Sequence, residues 1–356
     1  MHPANVRICV RSRRRGASMR LVALFGLVSL LAAACGGGSD HSTGESKSRL
    51  TMGVINAGPA YAPLYWAEAK GYFDKVGLNL TISADGAGMP GNFVAGKSDV
   101  IWSSQGSTLA VINQGKPVSS IYGTEAGGSA YVVTANPAVK NPAHCKTVST
   151  GTPGQALYAW AKQLEKVYGV KWKLTQLSGD VSALTSNVIA GRTDCAVGSI
   201  AYYQTAVEKG QLQVVFDPTD KANLPSNWPI LGTEGVLVAL PKTLADKRNS
   251  FERLVKGFND ALADYLAATP ADIAKTLMDH HKGFAATGSV DALAKTIEQT
   301  RPNLSPNKGY ITKDVWSSTL SFYQSGGLDF LANNPGKFDY DKVVDMSVYE
   351  AAIGRP

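Results

Sequence analysis

The stretch Asn92-Phe93-Val94-Ala95-Gly96-Lys97-Ser98-Asp99-Val100 decides how this chain is read, because it returns ninety-five residues later as Asn187-Val188-Ile189-Ala190-Gly191-Arg192-Thr193-Asp194-Cys195. Asn, Ala, Gly and Asp are identical, and the variable positions keep their chemistry: apolar, apolar, basic, hydroxyl. Each copy reads as the last turn of a short helix, a glycine terminator, a basic residue and an acidic entry into a buried strand. Taken alone, Ala-Gly-Lys/Arg-x-Asp is a common way to end a helix. The order of elements around the two copies separates coincidence from repetition.

Around the first copy, residues 50–55 read as a strand, 61–70 as an amphipathic helix with Pro63 in its first turn, and 80–84 as a second strand. A third strand over 99–102 runs into Ser103-Ser104-Gln105, which caps a helix at 107–114, and 118–122 is a fourth strand. The same order restarts with strand 147–150, helix 155–168, strand 172–176, helix 181–190, strand 195–198, helix 201–209 and strand 212–216. Strands alternating with helices imply mostly parallel sheets, and the element-by-element match implies two α/β lobes of similar build with ligand between them. A second echo marks where the chain passes between them. Gly123-Thr124-Glu125-Ala126-Gly127 precedes the apolar strand 131–134, and Gly232-Thr233-Glu234-Gly235 precedes the apolar strand 236–240. The expected division is 50–125 with 235–356 as the first lobe and 126–234 as the second. Residues 217–230, rich in Pro and Asn, read as an insertion before the second crossing. From Thr243 the chain reads as helical (244–268, 271–281, 290–300 and 312–324), expected to pack back on the first lobe.

The formal net charge of +7 belongs to one end of the chain. Residues 1–34 carry six arginines and no acid, which leaves +1 for the rest and removes the electrostatic case for nucleic acid. Those residues read as a signal peptide: an arginine-rich start, an apolar run over 21–33 too short to span a bilayer, and Leu31-Ala32-Ala33-Ala34-Cys35. A short leader beginning at Met19 would serve equally well. The cysteine after Ala34 resembles a lipoprotein signal, in which Cys35 takes the lipid. Ala32 departs from that pattern, which usually has Leu there, and a plain secretory leader is the alternative. Residues 35–49, opening Gly-Gly-Gly-Ser, then read as a flexible tether. The chain is expected at the extracytoplasmic face of the cell membrane, lipid-anchored. Of four cysteines, Cys9 lies in the leader and Cys35 at the anchor. Cys145 and Cys195, one before a strand and one opening another, are expected to pair on the oxidising side of the membrane, two buried thiols being the alternative.

Tyr61-Ala62-Pro63-Leu64-Tyr65-Trp66-Ala67-Glu68-Ala69-Lys70-Gly71-Tyr72-Phe73-Asp74-Lys75-Val76-Gly77-Leu78 closely resembles the first helix of the nitrate/sulfonate/taurine and thiamine-pyrimidine binding proteins, the solute receptors of ABC importers. The repeated stretch at 92–100 and the turn Gly151-Thr152-Pro153-Gly154 also fit that family, and the resemblance covers roughly 50–240. It implies a type 2 periplasmic-binding fold, two α/β lobes joined by two crossings and closing over a small-molecule solute by hinge motion. It also implies an ABC permease and its ATPase as partners, a protein acting as a monomer, and no cofactor.

Ligands in open α/β lobes sit beyond the carboxyl ends of the strands, facing helix N-termini. That rule names the cleft loops as 56–61, 85–89, 103–105, 151–155, 178–180 and 199–202, with Glu125 and Glu234 at the hinge. The candidate binding residues are Tyr61, Tyr65, Gly86, Met89, Ser103, Ser104, Gln105, Tyr122, Glu125, Thr152, Pro153, Gly154, Gln155, Ser199, Tyr202 and Glu234. These loops hold no Lys or Arg, and two hinge acids disfavour an inorganic anion. An organic solute with N–H donors or partial positive charge, stacked on Tyr61, Tyr65 or Tyr122, suits them better: an amino-substituted heterocycle of vitamin-precursor type, ahead of a sulfonate-like one. The alternatives are a nitrate/taurine-type anion binder and a tethered receptor for a membrane sensor. For Glu125 and Glu234 a structural role in Gly-rich turns weighs equally, and for any one of the tyrosines, Tyr65 above all, core packing outweighs binding.

An enzyme is not expected. The resemblance extends to a pyrimidine synthase with a cysteine-rich motif, and no cysteine cluster occurs in this sequence. Gly151-Thr152-Pro153-Gly154 lacks the Lys-Ser/Thr of a P-loop. The adjacent His280 and His281 face different ways on a helix without an evident third ligand, so no metal is expected.

Overall fold

The computed structural model describes residues 48–128, 130–177, 181–285 and 288–356. The leader, Cys35 and the loop 178–180 therefore lie outside the described residues. Among the described residues, ten strands form two five-stranded sheets. They are β1 (Ser48–Val54), β2 (Leu78–Ala84), β3 (Val100–Ser104), β4 (Ser119–Glu125), β5 (Tyr131–Thr134), β6 (Thr147–Thr150), β7 (Lys173–Gln176), β8 (Cys195–Gly198), β9 (Gln213–Phe216) and β10 (Gly235–Ala239). The helices up to the second crossing are α1 (Ala62–Ala69), α2 (Tyr72–Lys75), α3 (Met89–Val94), α4 (Gln105–Asn113), α5 (Ala156–Tyr168), α6 (Val181–Ile189) and α7 (Ile200–Glu208). After it come α8 (Pro241–Asp246), α9 (Arg248–Ala267), α10 (Pro270–His280), α11 (Lys282–Ala285), α12 (Val290–Thr300), α13 (Lys313–Ser325), α14 (Phe330–Asn333), α15 (Tyr340–Val343) and α16 (Ser347–Ile353).

The sheets share one design. The first has the order β2-β1-β3-β10-β4 and the second β7-β6-β8-β5-β9. In each, one strand runs against its neighbours: β10 is antiparallel to β3 and β4, and β5 to β8 and β9. Those two strands are exchanged, since β5 follows β4 in the chain yet enters the second sheet, and β10 follows β9 yet enters the first. Every residue of β5, β8 and β10 is buried, as apolar strands without polar alternation require.

The repeated stretch lands in equivalent places. α3 ends before Gly96 at φ +73° and α6 before Gly191 at φ +66°, the left-handed positions that favour glycine. The acid that follows then fixes a neighbouring strand. Asp99 Oδ2 accepts from the Thr51 N–H at 2.9 Å, and Asp194 Oδ2 accepts from the Lys146 and Thr147 N–H groups at 2.9 and 2.8 Å. Register is matched too, Val100 lying opposite Met52 and Cys195 opposite Val148. Cys145 and Cys195 form a disulfide with Cα atoms 6.0 Å apart.

Four expectations change. The proposed tether ends earlier than residue 49, because Ser48 and Arg49 already pair with Leu78 and Asn79. The 244–268 helix is two, broken at Lys247 (φ −117°, ψ 26°). β4 runs through Glu125, so the first crossing motif is strand for half its length. The tail does not pack on the first sheet alone. α9 covers α1 and α2, where Trp66 Nε1 donates to Asp264 Oδ2 at 3.1 Å, but α12 lies against α7 and α13 against α5. Gln163 Nε2 on α5 donates to the Phe322 carbonyl at 2.8 Å and to Ser325 Oγ at 2.5 Å.

Burial raises the Asp194 carboxyl, but the backbone N–H groups of Thr147 and Lys146 outweigh it, and the carboxyl lies below its ordinary range. Its contribution is therefore present above the unfolded carboxylate range and lost as pH falls through the folded value. Asp194→Asn should cost about 1 kcal/mol in urea denaturation at pH 7, with the difference from wild type shrinking toward pH 3. Reducing the disulfide, whose partners are 50 residues apart, should lower stability by about 4 kcal/mol at most in the same assay.

Candidate functional site

The carboxyl ends of β1, β2 and β3 in one sheet and of β6, β7 and β8 in the other open on a shared cavity of about 280 Å³. That is near the lower end of small-molecule sites, which run from about 300 to 1,000 Å³. Its base is the pair of crossings. The Glu234 N–H donates to the Glu125 carbonyl at 2.8 Å, and the Gln105 N–H donates to the Glu234 carbonyl at 2.6 Å, which seats the start of α4 against the second crossing. Both side chains reach the cavity. Glu234 Oε2 accepts from the indole Nε1 of Trp160 at 3.1 Å. Gly235 is required beside them: a Cβ there would lie 2.7 Å from Glu125 Cγ and 2.9 Å from its Oε1.

Burial, and then the charge of Glu234, push the Glu125 carboxyl up to about 8. Above it stand two hydroxyls from opposite sides, Tyr61 before α1 and Tyr202 on α7. Tyr61 is raised by burial and then by Tyr202, and Tyr202 by burial and then by the charges of Glu125 and Glu234. Both phenols therefore keep their protons at neutral pH. The walls are apolar, from Ile55, Met89 and Trp102 on one side and Leu157, Leu177 and Leu184 on the other. Tyr61 meets the Trp102 ring edge-on at 5.4 Å. Among the described residues no Lys or Arg lines the cavity.

Three helices start beside the cavity, and serine side chains cap two of them, α4 and α7, whereas the N-terminus of α5 has no side-chain cap. Ser104 Oγ accepts from the Ser107 N–H at 3.2 Å and donates to Ser107 Oγ at 2.9 Å. Ser199 Oγ accepts from the Ala201 N–H at 3.3 Å. Gln155 Oε1 accepts from the Thr152 N–H at 3.0 Å.

Nine of the sixteen candidate residues meet in the cavity: Tyr61, Gly86, Met89, Ser103, Ser104, Glu125, Gln155, Tyr202 and Glu234. The other seven stand elsewhere. Tyr65 packs on His281 and Phe284, with ring centres at 4.7 and 5.4 Å, in the layer between α1 and α10. Tyr122 is fully buried against Phe258 and Tyr349 at 5.3 and 5.8 Å, so neither ring offers a stacking face to a ligand. The Gln105 side chain turns into the sheet, where Oε1 accepts from Ser120 Oγ at 3.4 Å. Thr152, Pro153 and Gly154 form the turn before α5, and the Gly154 carbonyl abuts α4; a Cβ on Gly106 would lie 2.6 Å from it. Ser199 serves as a buried cap. Ile55, Pro90, Trp102, Ser107, Ala156, Leu157, Leu177 and Leu184 also line the cavity and lie outside the loops named from the sequence. Leu177 directly follows a strand end and was findable by the rule that named the loops, whereas the leucines on helices look like ordinary core. His280 and His281 diverge, Nδ1 of the first lying 2.8 Å from the Thr276 carbonyl and Nε2 of the second 3.3 Å from the Tyr65 carbonyl. Among the described residues no three His, Cys, Asp or Glu side chains are gathered as a metal site.

A family model described as NMT1/THI5 like matches residues 58–273, which hold both crossings and every residue lining the cavity except Ile55. The chain belongs to the NMT1/THI5-like family. Solved structures of similar shape include the ligand-binding component of an ABC-type import system from Staphylococcus aureus, solved with zinc bound (TM-score 0.65, 12% identity, 86% of this chain and 100% of that one). Others are the periplasmic aliphatic sulphonate binding protein SsuA from Escherichia coli (0.61, 15%, 85% and 91%) and the periplasmic nitrate-binding protein NrtA from Synechocystis PCC 6803 (0.64, 12%, 86% and 88%). No curated protein matches the chain by sequence. The fold of this NMT1/THI5-like chain is thus that of the periplasmic binding proteins, two α/β lobes with a two-segment connection.

A carboxyl raised in the folded state binds its proton more tightly there than in the unfolded chain. Glu125 therefore penalises folding increasingly as pH rises from its unfolded value, about 4.3, toward 8. Glu125→Gln should remove that slope, gaining on wild type by an amount on the order of a few kcal/mol between pH 5 and 8 in urea denaturation.

Proposed function

We propose that this chain is the extracytoplasmic solute-binding lipoprotein of an ABC importer, anchored through Cys35 and acting as a monomer. It captures a small organic solute between its lobes and hands it to the permease, which the importer's ATPase drives. The family match and the ABC-import, sulphonate and nitrate receptors of like fold support binding without turnover.

The observation that carries the choice of solute is the pair Glu125 and Glu234 at the base of an apolar-walled cavity without a lining Lys or Arg. A carboxylate at this base repels an anion and accepts from N–H groups, while the walls and the Tyr61 and Trp102 rings favour a flat organic body. The solute class is therefore an amino-substituted heterocycle of vitamin-precursor type. One feature favours a second reading, a nitrate/taurine-type anion: the N-termini of α4, α5 and α7 converge on the cavity and carry partial positive charge. Serine side chains already cap α4 and α7, which weakens that reading, although the N-terminus of α5 has no side-chain cap. A tethered receptor for a membrane sensor would use the same site, and crosslinking on membranes separates the two by the partner captured.

Thermal-shift measurements with aminopyrimidines in one set and nitrate and simple alkanesulfonates in the other test the solute class. Aminopyrimidines should raise Tm, by about 2.7 kcal/mol of stabilisation at a hundredfold excess over Kd. A rise with nitrate or the alkanesulfonates alone would sink it.

A further inference from the structure

Trp160 lies on α5, yet its indole reaches the second crossing and donates to Glu234 Oε2 at 3.1 Å. The ring is only 1% exposed and is held from two sides. Trp228, from the segment before the second crossing, stacks on it at 5.2 Å and 19°, and Phe322 of α13 meets it edge-on at 4.6 Å. Three separate parts of the chain thus aim one N–H at one carboxyl oxygen. A buried indole N–H can only donate, and it bonds more strongly to an ionised carboxylate than to a neutral acid.

The partner of Glu234 across the crossing is Glu125, tied to it by the 2.8 Å backbone bond. Two buried carboxyls whose charges act on one another do not both ionise readily. The titratable groups facing them are Tyr61 before α1, Tyr202 on α7 and Tyr323 on α13. Burial, joined by the charge of one or both acids, raises each of these phenols, so none supplies a charge that would favour one acid over the other. The indole N–H does distinguish them, since it reaches Glu234.

We propose that Trp160 is a positioning residue that makes Glu234 the charged member of the hinge pair and leaves the proton on Glu125. The base of the cavity then presents an acceptor and a donor side by side. Resting on the reading of these acids as solute contacts, that arrangement selects a solute with an N–H next to a bare ring nitrogen or carbonyl, over one that offers donors alone. Affinity for such a solute should fall as pH rises past about 8, where Glu125 loses the donating proton.

The test is carbon-13 NMR of the glutamate carboxyls in the ligand-free protein, with the pair assigned through Glu125→Gln and Glu234→Gln. Glu234 should stay ionised down to the ordinary carboxylate range while Glu125 titrates near 8. Trp160→Phe keeps an aromatic ring in the stack and removes the donor, and should raise the Glu234 midpoint by about one pH unit. Unchanged midpoints would overturn the proposal. The unsubstituted protein gives a check that survives a poorly folding variant: the Trp160 indole N–H resonance should move with Glu125 deprotonation, and a flat resonance overturns the proposal equally. Calorimetry with 4-aminopyrimidine separates this inference from the reading beneath it. About tenfold weaker binding by Trp160→Phe at pH 7 supports both. Absence of binding with the expected titrations overturns the solute assignment and leaves the role of Trp160 standing.

Discussion

The hydrogen bond from the Glu234 N–H to the Glu125 carbonyl closes the two crossings on one another. Each sheet holds one strand delivered from the other side of that junction, β5 in the second and β10 in the first. Neither sheet can be completed without the chain passing through the junction. The junction must therefore be narrow, extended and at the strand ends, and it becomes the base of whatever lies between the sheets. Placing an acid on each crossing then fixes the electrostatics of the cavity before any loop contributes. The rest is consistent with that base: phenols that keep their protons, apolar walls, and serine caps on α4 and α7.

The tail adds a second constraint. α9 and α10 build out the first sheet, but α12 and α13 rest on α7 and α5 beside the second. Phe322 of α13 touches the indole that bonds Glu234, so the tail helps to set the geometry of the site although none of its residues lines the cavity.

Much of this was legible because it depends on local chemistry. The repeated Ala-Gly-basic-hydroxyl-Asp stretch requires a left-handed glycine and an acid facing backbone N–H groups, and Gly96, Gly191, Asp99 and Asp194 do that work in matching places. The hinge acids were legible from the echo of Gly-Thr-Glu, and Cys145 with Cys195 from their places beside parallel strands. What could not be read was side-chain direction. Tyr65 and Tyr122 have the right composition for a stacking site, but helix phase turns one toward Phe284 of α11 and strand pleat turns the other onto α9. The wall leucines were hidden for the converse reason, since an apolar residue on a helix carries no mark of whether it faces core or cavity. Trp160 joins Glu234 across 74 residues of chain. No local pattern announces such a contact.

The central claim is that the hinge acids choose a nitrogen-bearing organic solute. Native mass spectrometry of the protein purified without denaturation tests it most directly, because it identifies the solute that the cavity retains. The account predicts a retained small molecule carrying an amino group on a ring, lost or weakened in Glu125→Gln and Glu234→Gln. Retention of nitrate, or of a sulfonate with no nitrogen donor, and its persistence in both variants would contradict it.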